Sequence, residues 1–433
     1  AEVTFNEGLQ EIGSYAFEGS ALRAVAFPAS LTTIGSYAFR NTSLAEVAFN
    51  EGLQKIGSEA FNGCTALRTV VFPTSLTSIG DYAFSGCSRL SGGLVIPAAV
   101  TSVGQYAFYK CTGLDGKLII EAGKAKTIGD YAFSGCSKLS GVELGNGITS
   151  IGQYAFYNCS GLRGNLVIPD SVTSISSYAF SGCGFDGTLT LSANLTRLGT
   201  YAFSNCKGFT GELVIPDKLT ALEMGVFSGM SGITSLVIGE SVTSIYTAGY
   251  TAGSTYNGST YSALYGMTGV TEVTFTGLTV PTMNRDWSPF YSMSKLETVY
   301  VPAGAYSDYA TAYKTYLPST ARMKAIGATE DFQIDDGVLT AYLGNGGEVI
   351  IPEEVTKIGT SAFQNCTALT KVTIPESVTT IGTYAFRGCT GLTEVRIPKS
   401  VTTIEGYAFY GCTGLAEVTF NEGLQEIGSY AFE

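Results

Sequence analysis

Ten cysteines are the residues of this 433-residue chain whose type and regular spacing could do chemistry. Thiolates attack electrophiles, exchange disulfides and hold soft metals. The residues in question are Cys64, Cys87, Cys111, Cys136, Cys159, Cys183, Cys206, Cys366, Cys389 and Cys412, and each stands three residues after a phenylalanine. Met230, Met267 and Met293 take the same slot elsewhere, and a slot that accepts methionine is an apolar packing position rather than a metal or redox site. No Cys-x-x-Cys pair occurs, and the first run holds seven cysteines, an odd number that cannot pair completely within itself. The expectation is one column of buried free thiols.

Other chemistry is scarce. Histidine is absent, which removes Ser-His-Asp and Cys-His mechanisms and the commonest zinc ligand. Asp331, Asp335 and Asp336 do not match the spacing of a calcium loop, and Gly344 to Gly347 lacks the helix and Lys-Ser or Lys-Thr pair of a phosphate loop. The sequence therefore assigns no catalytic residue, no cofactor and no metal, and it reads as that of a protein that is not an enzyme. A net charge of -12, with lysines and arginines scattered, speaks against nucleic acid as a partner. No apolar run is long enough for a membrane helix, so no membrane insertion is expected in this segment.

The elements that hold the cysteines repeat. The tripeptide Tyr-Ala-Phe and its close variants place Phe17, Phe39, Phe61, Phe84, Phe108, Phe133, Phe156, Phe180, Phe203 and Phe227, then Phe363, Phe386, Phe409 and Phe432, at intervals of 22 to 25 residues within each run. In the clearest unit, Leu369, Val372, Ile374, Pro375, Val378, Ile381, Ala385, Phe386 and Cys389 are the fixed positions. Val372 to Ile374 and Val378 to Ile381 read as short strands separated by a turn that Pro375 starts. Gly382 breaks the second strand, and the Tyr-Ala-Phe segment is expected to make one or two short helical turns. One such unit cannot bury its apolar side alone, so the units must stack. Longer units insert a glycine step, as at Ser91-Gly92-Gly93-Leu94 and Thr210-Gly211-Glu212-Leu213, to be absorbed as a bulge or wider turn.

The pattern Leu-x-x-Val-x-Ile-Pro-x-Ser-Val-x-x-Ile-Gly-x-Tyr-Ala-Phe-x-Gly-Cys, carried by most of the chain, resembles the BspA-like leucine-rich repeats. The resemblance implies a leucine-rich-repeat solenoid, a β-rich right-handed coil of 22–25-residue repeats with parallel β-sheet faces and short helical turns. It also implies exposure at the cell surface or secretion, and adhesion to protein or glycan ligands on host cells or matrix. Ser400 stands where the commoner leucine-rich consensus has Asn or Cys, so no asparagine ladder is expected.

Four regions follow: a repeat array over 1–245, a Tyr/Gly/Ser/Thr-rich insertion loop over 246–262, irregular final repeats and a cap with a helix over 263–326, and a second array over 327–433 that opens with a β-hairpin. Tyrosine gives large contact area at low entropy cost, so Tyr246, Tyr250, Tyr256, Tyr261 and the lone Trp287 are the candidate ligand contacts. The tyrosine column two residues before each phenylalanine either presents an aromatic strip or stacks upon itself, and Glu59 and Ser361 interrupt it. Residues 416–433 repeat residues 1–18 identically, which suggests a parent period of 415 residues and makes end-to-end self-association a second reading beside recognition.

Overall fold

The computed structural model describes every residue except 125, 248–261, 284–287, 303–304 and 327–330. One coil explains the rest. In the strand Leu94–Ile96 the side chains of Leu94 and Ile96 are buried and that of Val95 is exposed, the alternation a pleated strand dictates. Pro97 has no N–H to extend a ladder, and its carbonyl accepts from Val100 N–H at 3.1 Å, closing a turn. The chain then forms the strand Ser102–Val103 and reaches Gly104. A Cβ at Gly104 would lie 2.5 Å from the backbone nitrogen of Asp81 in the preceding coil, so glycine lets these two backbones approach without displacement.

Successive coils pair in parallel with like residues opposite like. Leu94, Val95 and Ile96 face Leu118, Ile119 and Ile120, and Val103 lies between Ile79 and Ile128. The chain divides into two units. In the first, Ala1–Glu297 with Tyr316–Ala321, the second strands form a continuous nine-stranded sheet from Glu11–Ile12 to Arg197–Leu198. A separate sheet then joins Ala221–Leu222, Ser244–Ile245 and Thr282–Met283. The first strands form a parallel face broken into shorter sheets. The glycine step at Gly211 has φ 79°, and the register then shifts, with Gly211 opposite Ile233 and Glu212 opposite Ser235, so the bulge falls at Thr234 of the next coil.

The second unit contains Thr298–Thr315 and Arg322–Glu433. It holds the one α-helix among the described residues, Tyr306–Tyr313. An antiparallel hairpin, Phe332–Asp335 with Val338–Tyr342, turns through Asp336 and Gly337, both with positive φ as a tight hairpin requires. The hairpin leads a sheet continued in parallel by Lys357–Ile358, Thr380–Ile381, Thr403–Ile404 and Glu426–Ile427. The first strands Gly347–Ile350, Leu369–Thr373, Glu394–Ile397 and Glu417–Phe420 form its other face.

The Tyr-Ala-Phe segment departs from expectation: it is not helical. Tyr106 has φ 54°, Tyr131 56° and Tyr154 54°, the left-handed region that tyrosine rarely enters. The reason is where the N–H groups go. Tyr106, Phe108 and Lys110 donate forward to the carbonyls of Asp130, Ala132 and Ser134 in the next coil, at 2.8, 2.7 and 2.8 Å. The intervening Ala107, Tyr109 and Cys111 fold back on Gly104, Tyr106 and Phe108. A helix would satisfy all six locally, whereas this arrangement spends half of them on a third wall of bonds between coils. A left-handed residue costs about 1–3 kcal/mol, which ring stacking of about 0.5–1.5 kcal/mol and a hydrogen bond of similar size offset.

Inside the walls the phenylalanines form a column. Rings from Phe84 through Phe108, Phe133, Phe156 and Phe180 to Phe203 lie 5.0 to 5.3 Å apart and nearly parallel, each with no exposed surface. Phe156→Ala should therefore cost about 3–5 kcal/mol by leaving a cavity, against about 0.5 kcal/mol or less for exposed Thr173→Ala. Urea denaturation of the two variants checks the ranking, and equal midpoints would refute a stacked core.

Candidate ligand-binding surfaces

All ten cysteines are free, and nine are buried. Each buried thiol has one job. Cys111, Cys136 and Cys159 donate S–H to the carbonyls of Phe84, Phe108 and Phe133 in the preceding coil, each at 3.2 Å, and Cys389 and Cys412 do likewise to Phe363 and Phe386 at 3.0 Å. Burial pushes the thiols of Cys87, Cys111, Cys136 and Cys183 well above the usual cysteine range. Cys366 is half-buried, and its thiol is pushed up less severely by the same cause. Thiolate chemistry is thus suppressed where the cysteines are most numerous.

The tyrosine column stacks on itself. From Tyr82 through Tyr106, Tyr131, Tyr154 and Tyr178 to Tyr201 the ring centroids are 4.5 to 4.9 Å apart. Ring faces are consumed by neighbouring rings, so the column offers a ligand only edges and hydroxyls. At the interruption, the Glu59 carboxylate accepts from Asn62 at 2.9 Å and pairs with Arg40 at 3.3 Å. Hydrogen bonding to Glu59 also pushes the hydroxyl of Tyr37 up.

Of the candidate contacts, Tyr246 is half-buried at a corner of its coil, donating its N–H to Leu222 and accepting from Ala263 N–H, both at 2.9 Å. Tyr250, Tyr256, Tyr261 and Trp287 lie outside the described residues. The sequence reading missed Lys126, which lies opposite Ile148 in an apolar ladder slot and is 1% exposed. Its ammonium donates to the carbonyls of Glu121 at 2.9 Å and Pro97 at 3.4 Å; burial pushes its pKa down, partly opposed by the charge of Glu121. A charged residue in the slot that Ile148 fills in the next coil was the available signal. Tyr309 and Tyr313 were also missed: their spacing of four residues places both on one face of the helix, both are buried, and burial pushes Tyr309 up to about 12.

The outward side chains of the first strands are the uncovered surfaces. In the first unit Val71, Val95, Val167 and Val214 are exposed by 77, 45, 57 and 47%. Ile119 and Val237 extend the row through their pairing with Val95 and Val214. The same outward row carries Glu143 beside Ile119 and Thr190 beside Val167, so the exposed side chains form short apolar patches, Val95 with Ile119 and Val214 with Val237, rather than a continuous stripe. Within the row, Glu143 is paired with Lys117.

The second unit presents charge instead. Register aligns Glu348, Lys371, Glu394 and Glu417 in one outward row, with Lys371 and Glu394 paired at 3.0 Å. Hydrogen bonding to Glu394 pushes the Lys371 amine up. A groove of about 440 Å³ runs over this face, lined by Lys371, Thr373, Glu376, Glu394, Arg396 and Thr419. Such groups can orient a ligand by hydrogen bonds and charge.

Coils of two short strands and a turn, stacked in register with uncovered strand faces, define a leucine-rich-repeat solenoid. The chain belongs to the BspA type leucine-rich repeat family, whose model matches residues 1–115, 124–257 and 341–433 in six copies. No curated protein matches it. A leucine-rich repeat protein from Bacteroides ovatus is 22% identical, with 99% of this chain and 82% of that one covered and a TM-score of 0.42. A leucine-rich cell surface protein from Faecalibacterium prausnitzii is 20% identical over 97% of this chain and 87% of its own, with a TM-score of 0.33. The pneumococcal vaccine antigen PcpA is 18% identical over 74% and 78%, with a TM-score of 0.39. Among the described residues no helix is long and apolar enough to cross a membrane.

Iodoacetamide should modify Cys366 first in the folded protein and reach all ten cysteines only in denaturant; equal native labelling of Cys111 would contradict the closed column. The raised thiols also set a pH dependence. The folded state holds their protons more tightly than the unfolded state, so their stabilisation is complete below the unfolded value and is lost progressively as pH rises from there toward the raised folded values. The unfolding free energy from urea melts should be flat from about pH 7 to 8.5 and decline above that.

Proposed function

We propose that the chain is a non-catalytic recognition module, displayed at the cell surface as part of a larger repeat protein, whose strand faces hold protein or glycan partners. The observation that carries this reading is the pair of uncovered strand faces, whose outward side chains differ while the core beneath them repeats. Short apolar patches in one unit and an ion-paired groove in the other are surfaces that can take ligands without chemistry. The cell-surface setting is supported by the family and by the description of the Faecalibacterium protein. The insertion with Tyr246, Tyr250, Tyr256 and Tyr261, together with Trp287, supplies further candidate contacts through its composition.

The test is a matrix-protein and glycan array probed with the full chain and three variants: Val71→Asp with Val95→Asp, Lys371→Glu with Arg396→Glu, and deletion of 248–261. The expected result is saturable binding that at least one variant weakens about tenfold or more at an unchanged melting temperature. Binding to no array member, or equal binding by all variants, overturns the reading. Light scattering of the same sample scores the rival reading, end-to-end self-association, as mass that rises with concentration.

A further inference from the structure

Between the coils that carry Arg197–Leu198 and Ala221–Leu222 the pairing of the second strands is interrupted. The strand Arg197–Leu198 ends the nine-stranded sheet, and Ala221–Leu222 starts a new one without pairing to it. The first strands Leu189–Thr190 and Gly211–Ile215 likewise belong to different sheets. At no other junction of the first unit, among the described residues, do both sheets stop together.

The missing bonds can be named from their neighbours. One coil earlier, Thr196 N–H donates to Thr173 O at 2.9 Å and Gly199 N–H to Ile175 O at 2.8 Å. One coil later, Thr243 N–H donates to Thr220 O and Tyr246 N–H to Leu222 O, both at 2.9 Å. The counterparts, Thr220 to Thr196 and Glu223 to Leu198, are not made. A ladder of threonine hydroxyls skips the same step: Thr196 donates to Thr173 O at 3.1 Å and Thr243 to Thr220 O at 3.3 Å, but Thr220 does not donate to Thr196.

The opposite wall stays closed, with Tyr201, Phe203 and Asn205 donating to Met224, Val226 and Ser228 at 2.9, 2.9 and 2.7 Å. The phenylalanine spacing widens from 5.2 Å at Phe180 and Phe203 to 6.0 Å at Phe203 and Phe227. The coils also stay joined where Thr210 N–H donates to Gly187 O at 2.8 Å, Lys218 Nζ donates to Asn194 Oδ1 at 2.6 Å and Phe185 stacks on Phe209 at 5.1 Å, so the opening is confined to the second strands. Glu223 fills the slot that glycine holds at Gly199, where a Cβ would lie 2.5 Å from Ser177 N. Ser176 and Glu405 fill it elsewhere with the pairing kept, so a side chain in this slot is not sufficient. Here it is followed by Met224 and Gly225 in place of a small polar residue and tyrosine, and the whole corner is rebuilt.

The result is a seam of about 270 Å³ lined by Thr196, Arg197, Leu198, Thr220, Ala221 and Glu223. Backbone acceptors of Thr196 and Leu198 stand on one side and backbone donors of Thr220 and Glu223 on the other, with Leu198 and Leu219 at its apolar inner edge. We infer that this seam binds an extended peptide segment of a partner protein, taken in as an added strand. Each wall offers what a sheet edge offers, an alternating row of main-chain groups that pairs with another main chain. A saccharide is disfavoured because no aromatic face lines the seam. The inner edge calls for an aliphatic side chain and the outer edge for a hydroxyl, the pattern of the chain's own Ser241-Val-Thr-Ser-Ile245. The site lies on the second sheet, so it goes beyond the strand-face reading and either can fail alone.

The probe is a fluorescent pentapeptide Ser-Val-Thr-Ser-Ile, titrated against the full chain and compared with the same peptide N-methylated at alternate amides. The expected result is saturable binding, a loss of about tenfold or more on methylation, and slowed hydrogen exchange confined to 196–199 and 219–224. Thr220→Pro removes a donor the chain itself does not use, so it should abolish binding and leave the melting temperature within a few degrees. If that variant does not fold, the methylated probe decides. The strand-face variants above should bind the peptide normally. Absence of saturation at millimolar peptide, equal binding of the methylated probe or protection elsewhere overturns the assignment, as does D-mannose binding at the seam in the peptide's place.

Discussion

Everything in this molecule depends on neighbouring coils lying in register with no offset. When Leu94 faces Leu118 and Val103 faces Ile128, each apolar side chain meets its own kind at strand spacing, and Phe, Cys and Tyr fall into columns without further instruction. Slipping one strand by a residue would turn Val95 inward and Leu94 and Ile96 outward, so burial itself enforces the register. A coil has little core of its own. Its stability is mainly the surface it shares with the coils on either side, which is why glycine recurs where backbones meet most closely.

That dependence explains what the sequence made legible. The cysteine column could be read because methionine replaces cysteine at Met230, Met267 and Met293, and packing is what the two residues share. The strands could be placed because proline marks where the first one ends, although the second strand of the clearest unit begins at Thr380 rather than Val378. The Tyr-Ala-Phe segment misled because its residues have unexceptional helical propensities, while the deciding partner, a carbonyl in the next coil, is some two dozen residues away. A signal was available in the slot two residues after phenylalanine. It holds Gly63, Gly86, Gly135, Asn158, Gly182 and Asn205, all with positive φ and all of types that suit a left-handed turn rather than a helix interior.

The surfaces were less legible for a different reason. Outward positions of the first strands carry no packing constraint, so Val71, Lys371 and Arg396 differ from coil to coil and look like noise beside the columns. Their meaning appears once register places them in rows. The family likewise accounts for the inward residues and leaves the outward rows free to vary. The seam was marked only by Glu223-Met224-Gly225 where most coils read glycine, a small polar residue and tyrosine, a local irregularity whose effect is spatial.

The wall built from the Tyr-Ala-Phe segments has an electrical consequence. Strand pairing contributes bonds in both senses, as Phe5 donating forward to Ala26 and Arg23 donating backward to Ala1 illustrate, so sheet dipoles largely cancel. In the turn wall every such N–H points from an earlier coil to a later one. Peptide dipoles there add as they do in a helix, giving each stack a permanent polarity, positive toward its later coils, carried by backbone alone and therefore indifferent to which side chains evolution sets on the outside.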